Sequence, residues 1–438
     1  MTLVNQSRDY ADLVQEDRAH SAIYTSEEIF EDELDRIFHR WWLYVGHASE
    51  IPEPGDYRLK WMGRQAVIMT RDKEGEIHLL LNRCRHRGTV VCHREAGNAS
   101  FFRCAYHGWT YRNDGSLVGV PFPGAYGKDF PKESYGLTAV PRMEVYRGFV
   151  FASLSPTGAP FDEHLAPAKP YIDWFLNASP VGEIELRSGV TRTMYRGNWK
   201  FVGMDGYHPA FVHKSVQDVM RLTAPEKADD AFKLFAEDSP QRTVDMGQGH
   251  VRLDEQHTTK ETILVGASKA DGGANQRYRE LMQEAYGDEE GLRAISRSDP
   301  HLGVWPNLQL IGSHVRVMRP LSAQLTEVEM FPALLKSVPS EINTARLRGH
   351  EWFYGPASFG SPDDAEIFER NQVGLMADVD PWVLLSRGLD REQDEADGSR
   401  TANITDEITQ RGQLRQWVKV MSSEDRIVGE PVSVSRNA

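Results

Sequence analysis

Two cysteine–histidine pairs stand close together in the chain and could jointly bind metal. The first is Cys84-Arg85-His86, and the second, after 17 intervening residues, is Cys104-Ala105-Tyr106-His107. Thiolate and neutral imidazole are both strong ligands for transition metals. The two pairs therefore predict a metal centre held by two sulfur atoms and two ring nitrogens.

The order of the ligands separates two kinds of centre. Structural zinc sites usually pair like with like, two cysteines followed by two histidines. Each pair here is mixed, which is typical of a Rieske [2Fe–2S] cluster, where two cysteines hold one iron and two histidines hold the other. We predict that Cys84, His86, Cys104 and His107 bind such a cluster and that it accepts electrons, with a single zinc ion as the alternative.

Composition limits the class of protein and its partners. A chain of 438 residues can hold two or three domains. Its formal charge of −14 argues against a nucleic-acid partner. Three cysteines indicate a reducing compartment and leave Cys92 as a buried thiol. With no secretory signal in Met1 to His20 and no apolar run of 18 residues, we expect a cytoplasmic protein outside the membrane.

A second candidate metal site lies at Asp205, His208 and His213. On a helix Asp205 and His208 would share a face, and Pro209 could loosen the next turn so that both imidazoles converge. Two convergent histidines and one distant carboxylate form the facial triad of a non-haem Fe(II) oxygenase, which leaves positions open for dioxygen and substrate. Two nearby histidines alone are weak evidence, but an electron-accepting cluster needs a destination for its electrons. We therefore predict mononuclear Fe(II) here.

These segments resemble the large (alpha) subunits of aromatic-ring-hydroxylating oxygenases. Asn82 to Gly88 and Cys104 to Trp109 are similar to the Rieske loops of that family, and Gly197-Asn198-Trp199-Lys200 is similar to the helix leading into its iron site. The resemblance implies that the carboxylate ligand is Asp364, with Asp363 as its competitor. A helix N-cap is the alternative role for these two aspartates.

The resemblance also implies a role for Asp205 as a bridge between the two metal sites. It would accept hydrogen bonds from His208 and from the partner subunit's His107, which orients the imidazole and closes the electron path. Only four residues separate Lys200 from Asp205. This segment is shorter than in the family by about one helical turn of roughly 3.6 residues.

Hydrophobic patterning and the resemblance together predict an α+β fold in three parts. A helical segment over 1–40, with a capped helix start at Thr25-Ser26-Glu27-Glu28, packs on the catalytic domain. An all-β Rieske domain covers 41–157, with strands at 66–69, 77–81 and 149–152 and a hairpin turn at 113–116. The catalytic domain, 158–438, is of helix-grip (START-like) type with a curved antiparallel sheet, and 223–300 is a surface insertion of loops and helices.

The implied activity is cis-dihydroxylation of an aromatic ring with dioxygen. Electrons would come from a NAD(P)H-dependent reductase, directly or through a ferredoxin, since the chain has no dinucleotide-binding glycine motif after a strand. The substrate would be an aromatic hydrocarbon or an aromatic acid, and the subunit would assemble with a small beta subunit (α3β3) or as a homotrimer. Two alternatives remain: a Rieske-type monooxygenase or demethylase, and a non-enzymatic zinc and ligand-binding protein.

Overall fold

The structure is a computed structural model. It describes residues 10–205, 207–209, 212–223, 225–234, 236–254, 272–296, 300–358 and 360–423. Helices and strands alternate with long irregular segments, so the α+β class is confirmed. No helix in these ranges is both long and apolar enough to cross a membrane.

The elements are numbered in chain order. The strands are β1 (Arg18–His20), β2 (Leu43–His47), β3 (Asp56–Met62), β4 (Gln65–Arg71), β5 (Ile77–Leu81), β6 (Ala96–Asn98), β7 (Phe101–Arg103), β8 (Thr110–Arg112), β9 (Leu117–Gly119), β10 (Arg142–Tyr146), β11 (Phe149–Ser153), β12 (Ile184–Glu185), β13 (Thr191–Tyr195), β14 (Arg242–Asp245), β15 (Val251–Asp254), β16 (His301–Val304), β17 (Leu308–Ile311), β18 (His314–Ser322), β19 (Leu325–Pro332), β20 (Leu334–Leu335), β21 (Trp382–Leu384), β22 (Gln393–Asp394) and β23 (Arg400–Asn403).

The helices follow the same numbering. They are α1 (Ala22–Thr25), α2 (Glu27–Glu33), α3 (Phe161–Leu165), α4 (Lys169–Leu176), α5 (Lys214–Thr223), α6 (Pro225–Leu234), α7 (Gly272–Tyr286), α8 (Asp288–Ser296), α9 (Ser340–Tyr354), α10 (Ser361–Gly374) and α11 (Ile408–Met421). Two π-helical turns occur at Leu34–Phe38 and Phe201–Asp205.

The N-terminal helix begins one residue later than predicted. Ser26 is the N-cap of α2, and its Oγ accepts a hydrogen bond from the Ile29 amide at 3.3 Å. The predicted capping box is wrong, because Thr25 ends α1 and the third residue of α2 is Ile29 rather than an acid. This region packs against distant elements, with the Tyr24 ring stacked 5.1 Å from that of Phe201.

The region after β2 is built from small antiparallel sheets, as predicted. β3 to β6 form one sheet in the order β5-β4-β3-β6, and β7, β8 and β9 form another. The predicted strands at 66–69 and 77–81 are confirmed in β4 and β5, and the predicted turn at 113–116 joins β8 to β9. Apolar side chains of both sheets share one core, which includes Ile68, Tyr111 and Leu117.

The larger sheet has nine strands in the order β13-β19-β18-β17-β16-β15-β14-β23-β22, with antiparallel pairing throughout. Helix α11 packs against it with Ile408, Leu414 and Trp417 buried. The prediction that 223–300 is a surface insertion is partly wrong. Helices α6, α7 and α8 lie there, but β14 and β15 are inside the sheet and bury Val244 and Val251.

The stretch 156–170, which contains the predicted start of the catalytic domain at 158, is irregular only in its first part. The chain has no regular structure up to Pro160, after which α3 begins and buries Leu165. The predicted domain bounds at 40 and 157 stay predictions.

Candidate functional site

Two loops of similar geometry carry the cysteine–histidine pairs. In the first, the Cys84 amide donates to the Thr89 carbonyl at 2.8 Å, and the Gly88 amide donates to the Cys84 carbonyl at 2.9 Å. Cys104 and Gly108 occupy the matching positions of the second loop. Gly88 and Gly108 have φ of +79° and +70°, a left-handed conformation that glycine adopts at little cost. The same turn therefore presents a cysteine and a histidine twice.

The four side chains fit a [2Fe–2S] cluster. Cys84 and Cys104 are each only 3% exposed, and the rings of His86 and His107 lie 4.6 Å apart. The Nδ1 atom of each histidine is buried without a hydrogen-bond partner, which is costly unless a metal binds there.

Their arrangement does not suit a single zinc ion. Within the described ranges, the group whose ligand atoms all lie within 4.8 Å of one another is His213, Asp363 and Asp364, and it does not include these cysteines and histidines. Ligands spread over two metals are expected for a binuclear cluster rather than a tetrahedral zinc site. Cys92 is buried and free, and burial raises the pKa of its thiol, as expected for an inert cysteine.

Tyr111 contacts the cluster site and was not assigned a role from the sequence. Its hydroxyl lies 3.2 Å from Cys84 Sγ and accepts a hydrogen bond from the Arg85 amide at 3.0 Å. Burial, and then its contact with Cys84, raises the pKa of Tyr111, so its proton remains available for the sulfur. The available signal was its place in the strand that leaves the second loop.

Replacing Tyr111 by phenylalanine should lower the reduction potential of the cluster. A hydrogen bond to a cluster sulfur favours the reduced, more negative form. A net hydrogen bond is worth about 1 kcal/mol, so for a one-electron couple the shift is on the order of tens of millivolts. Redox titration of the cluster measures it. Tyr57→Phe, which alters a buried tyrosine against Phe102, is the matched control and should leave the potential unchanged.

The two histidines of the second site converge, as predicted. His208 Nε2 and His213 Nε2 are 2.6 Å apart. Among the described residues, neither histidine lies in a helix, so the predicted helical face shared by Asp205 and His208 is not found. The π-helical turn ends at Asp205, His208 lies in an irregular segment, and α5 begins only at Lys214. The short segment before Asp205 thus forms one π-helical turn, and His208 and His213 meet after it.

Both candidate aspartates lie beside His213, at the start of α10. The Nδ1–H of His213 donates to Asp363 Oδ2 at 2.9 Å, and Asp364 Oδ1 is 3.7 Å from the same nitrogen. Gly360 is the N-cap of α10, so the alternative that an aspartate caps this helix is wrong. Burial raises the pKa of Asp364, and Arg316 is the strongest influence opposing that rise.

The position of Asp205 is described only for its backbone. It is the last residue of the π-helical turn, three residues before His208. Its side chain lies outside what the structure describes, so the predicted bridge to the partner subunit's His107 stays a prediction.

Polar side chains that the sequence analysis missed line one face of the nine-stranded sheet beside this site. His301 in β16 and His314 in β18 pair with the same residue of β17 and therefore share a face. Arg316 follows two residues after His314 and lies on that face too. Tyr207, next to His208 in the chain, packs there with its ring 4.9 Å from that of His301. The inner face of the sheet thus borders the histidines of the second site.

These histidines are neutral at physiological pH. Burial, followed by the positive charge of Arg316, lowers the pKa of His301 to about 3. Burial likewise lowers the pKa of His314 well below its usual value, with smaller effects of His350 and Arg316. Arg316 therefore supplies positive charge to this face, and the imidazoles supply neutral donors and acceptors.

Comparisons with known proteins agree with this geometry. The Rieske [2Fe-2S] domain family matches residues 41–140. The chain is 32% identical over 388 residues to the 2-halobenzoate 1,2-dioxygenase large subunit of Burkholderia cepacia, covering 85% of this chain and 80% of that one. It is 30% identical over 441 residues to the N,N-dimethyl phenylurea N-demethylase subunit alpha of a Sphingobium species, covering 93% and 92%.

The fold is also found among solved structures. Naphthalene 1,2-dioxygenase with indole bound in the active site superposes with a TM-score of 0.79 at 26% identity, over 96% of each chain. Similarity of this extent reaches beyond the cluster domain to the residues around both metal sites. The chain therefore belongs to the Rieske non-haem iron aromatic-ring-hydroxylating dioxygenases, as a large (alpha) subunit.

Proposed function

We propose that this chain is the terminal oxygenase subunit that cis-dihydroxylates an aromatic ring with dioxygen. The observation that carries the proposal is the convergence of His208 and His213 beside Asp363 and Asp364, in a chain that also presents two Rieske loops. One site accepts electrons and the other offers an open ligand set where they can be used. Neither site alone would indicate this reaction.

The proposed ligand atoms are assigned from the contacts of the ring nitrogens. Cys84 and Cys104 hold one cluster iron, and His86 and His107 hold the other through their unpaired Nδ1 atoms. A mononuclear Fe(II) with three protein ligands on one face leaves positions for dioxygen and substrate. This site, held by His208, His213 and Asp364, needs the lone pairs of the facing Nε2 atoms.

Asp363 orients one of those ligands. Its carboxylate accepts the Nδ1–H of His213 at 2.9 Å, which fixes the tautomer whose Nε2 lone pair faces His208. The neighbouring Asp364 is then free to complete the ligand set. This division of roles uses both aspartates that the sequence offered as competitors.

Electron delivery requires partners outside this chain. The surface around the cluster would receive electrons from a NAD(P)H-dependent reductase, directly or through a ferredoxin. Asp205 would link the iron site to the partner subunit's His107, so the enzyme would work as an oligomer, either with a small beta subunit or as a homotrimer. The proposed division is an N-terminal segment at 1–40, a Rieske domain at 41–157 and a catalytic iron domain at 158–438.

A labelled-oxygen experiment tests the reaction type. Cells that express the oxygenase with a compatible reductase and ferredoxin are given a panel of aromatic hydrocarbons and acids under ¹⁸O₂, and products are analysed by mass spectrometry. Dihydroxylation incorporates both labelled atoms into one cis-diol. A product with one labelled atom, or a lost N-methyl group, would instead support monooxygenation, the second candidate, which is favoured by the similarity to an N-demethylase over 93% of the chain.

A further inference from the structure

Arg316 is a buried cation in the middle of the large sheet. Its register partners are Gln309 in β17 and Met330 in β19, and the residue is 7% exposed. Its guanidinium lies over the Tyr354 ring, 5.6 Å from the ring centre. A long basic side chain in such a position usually reaches water or an acidic partner.

Within the described part of the chain, Arg316 forms no ion pair with an acidic side chain. Its Nε is buried without a hydrogen bond, and no carboxylate oxygen lies within ion-pair distance of the guanidinium. Asp364 is near enough for Arg316 to lower its pKa, but the two groups form no salt bridge, and that carboxylate is proposed as an iron ligand. A buried cation is costly when no anion compensates it, and among the described residues no carboxylate forms an ion pair with Arg316.

The groups around Arg316 are suited to an anion rather than to another cation. His314 is fully buried and His350 is 1% exposed, and both ring nitrogens of each lack hydrogen-bond partners. Their rings are 5.0 Å apart. Burial, then Arg316, lowers the pKa of His350 to about 4, so the ring is neutral and one of its nitrogens can donate. A guanidinium beside unused imidazole donors is an anion-binding arrangement.

We propose that Arg316 binds a carboxylate substituent of the aromatic substrate and so holds the ring toward His208 and His213. The planar guanidinium can donate two parallel hydrogen bonds to a carboxylate, which fixes orientation as well as affinity. This inference rests on the proposed oxygenase function and narrows its substrate class to aryl carboxylic acids. The sequence offered no reason to prefer Arg316 over other basic residues, because only the sheet register places it on the inner face.

Matched pairs of ligands test this proposal by binding alone. Isothermal titration calorimetry of the intact oxygenase compares benzoate with benzamide and 1-naphthoate with 1-naphthamide. We expect at least one acid to bind about 10- to 100-fold more tightly than its neutral amide, since hydrogen bonds to charged groups are worth that much. Arg316→Met should abolish the preference, and Arg316→Lys should retain part of it.

The control is a substitution in the same strand, β18, at a residue on its opposite face. Arg319 lies three residues along β18 and pairs with Glu327 at 3.3 Å, so Arg319→Met should leave the acid-to-amide ratio unchanged. If Arg316→Met does not fold, the acid-to-amide affinity ratios of the wild-type protein and of Arg316→Lys still test the proposal. Equal affinity for every acid and its amide, or an equal loss for both in the Arg316 variants, would mean that Arg316 is only structural and overturns the proposal.

Two further outcomes separate the sources of the anion and the two proposals. If inorganic phosphate displaces benzoate and has a similar dissociation constant, Arg316 binds free anions in general. That result would overturn the substrate assignment. Preferential binding of an acid with no oxygenated product would contradict the proposed reaction while leaving the anion site intact. Oxygenation of neutral hydrocarbons, with no preference for binding acids, would support the proposed reaction and contradict the anion site at Arg316.

Discussion

Replacing Asp364 by alanine should remove the mononuclear iron and reduce product formation to background while leaving the cluster intact. The proposed site has three protein ligands, and the carboxylate is the anionic one, so its loss leaves only two neutral imidazoles to hold Fe(II). The four cluster ligands lie on two other loops, one between β5 and β6 and one between β7 and β8. Metal analysis should therefore find only the two irons per chain of the [2Fe–2S] cluster, with an unchanged visible spectrum.

The matched variant is Asp363→Ala, one residue away on the same helix. Asp363 accepts the Nδ1–H of His213, and loss of such an orienting carboxylate typically costs about 10- to 100-fold in metal affinity or activity. Iron should therefore still bind to this variant at raised iron concentration, which it should not do in Asp364→Ala. The reverse pattern, with iron lost only from the Asp363 variant, would make Asp363 the ligand and contradict our assignment.

The sequence alone could not decide whether Asp363 or Asp364 is the ligand. The family resemblance predicted the segment that would bring a carboxylate to the iron, but adjacent helical residues point about 100° apart. Which of them faces the histidines depends on where α10 begins, and its N-cap is Gly360. A shift of one residue in the helix start would exchange the two roles.

Residue types and spacing predicted which side chains come together better than they predicted the elements that carry those side chains. Cys84, His86, Cys104 and His107 fall on two short turns, where spacing along the chain closely limits spacing in space. His208 and His213 also converge as expected, yet through an irregular segment between a π-helical turn and α5. Convergence needed only a short connection, so the two rings meet although the helix predicted around them is not found among the described residues.

Features that depend on long-range pairing could not be predicted. Arg316 is one of many basic residues until the register of β17, β18 and β19 places it on the inner face. Strands β14 and β15 are only four residues long and lie in a polar region, so they lack the apolar pattern that predicted β4 and β5. Their burial comes from neighbours distant in sequence, including α11 and β23.

Replacing Glu33 by alanine should destabilise the protein by about 3 to 5 kcal/mol, the usual cost of leaving one member of a buried ion pair alone. Glu33 and Lys200 are both fully buried, and their charged atoms are 2.6 Å apart. The Glu33 carboxylate also accepts the indole N–H groups of Trp199 at 2.8 Å and Trp417 at 2.6 Å. These contacts join α2, the segment before Asp205, and α11.

Urea unfolding followed by tryptophan fluorescence measures this effect, because Trp199 and Trp417 are buried beside the pair. Glu31→Ala on the same helix is the control. Glu31 pairs with Arg64 at 2.8 Å, but both side chains are about half exposed, so its loss should change stability by no more than about 1 kcal/mol. Equal effects of the two variants would contradict the importance of the buried pair.

A double variant separates two contributions to the free energy of unfolding: the cost of burying the Lys200 charge without the Glu33 carboxylate, and the stabilisation that the ion pair itself provides. Glu33→Gln with Lys200→Met removes both charges and keeps a side-chain oxygen that can accept an indole N–H. If the single variant is unstable because Lys200 is left as a buried cation, the double variant should recover most of the lost stability. Recovery should be smaller in Glu33→Leu with Lys200→Met, because two buried indole donors then lack acceptors, each at a cost of about 1 to 3 kcal/mol. Trp199 and Trp417 donate to different oxygens of Glu33. The difference between the two double variants therefore measures what the indole hydrogen bond kept by the Gln oxygen contributes to the stability of the protein.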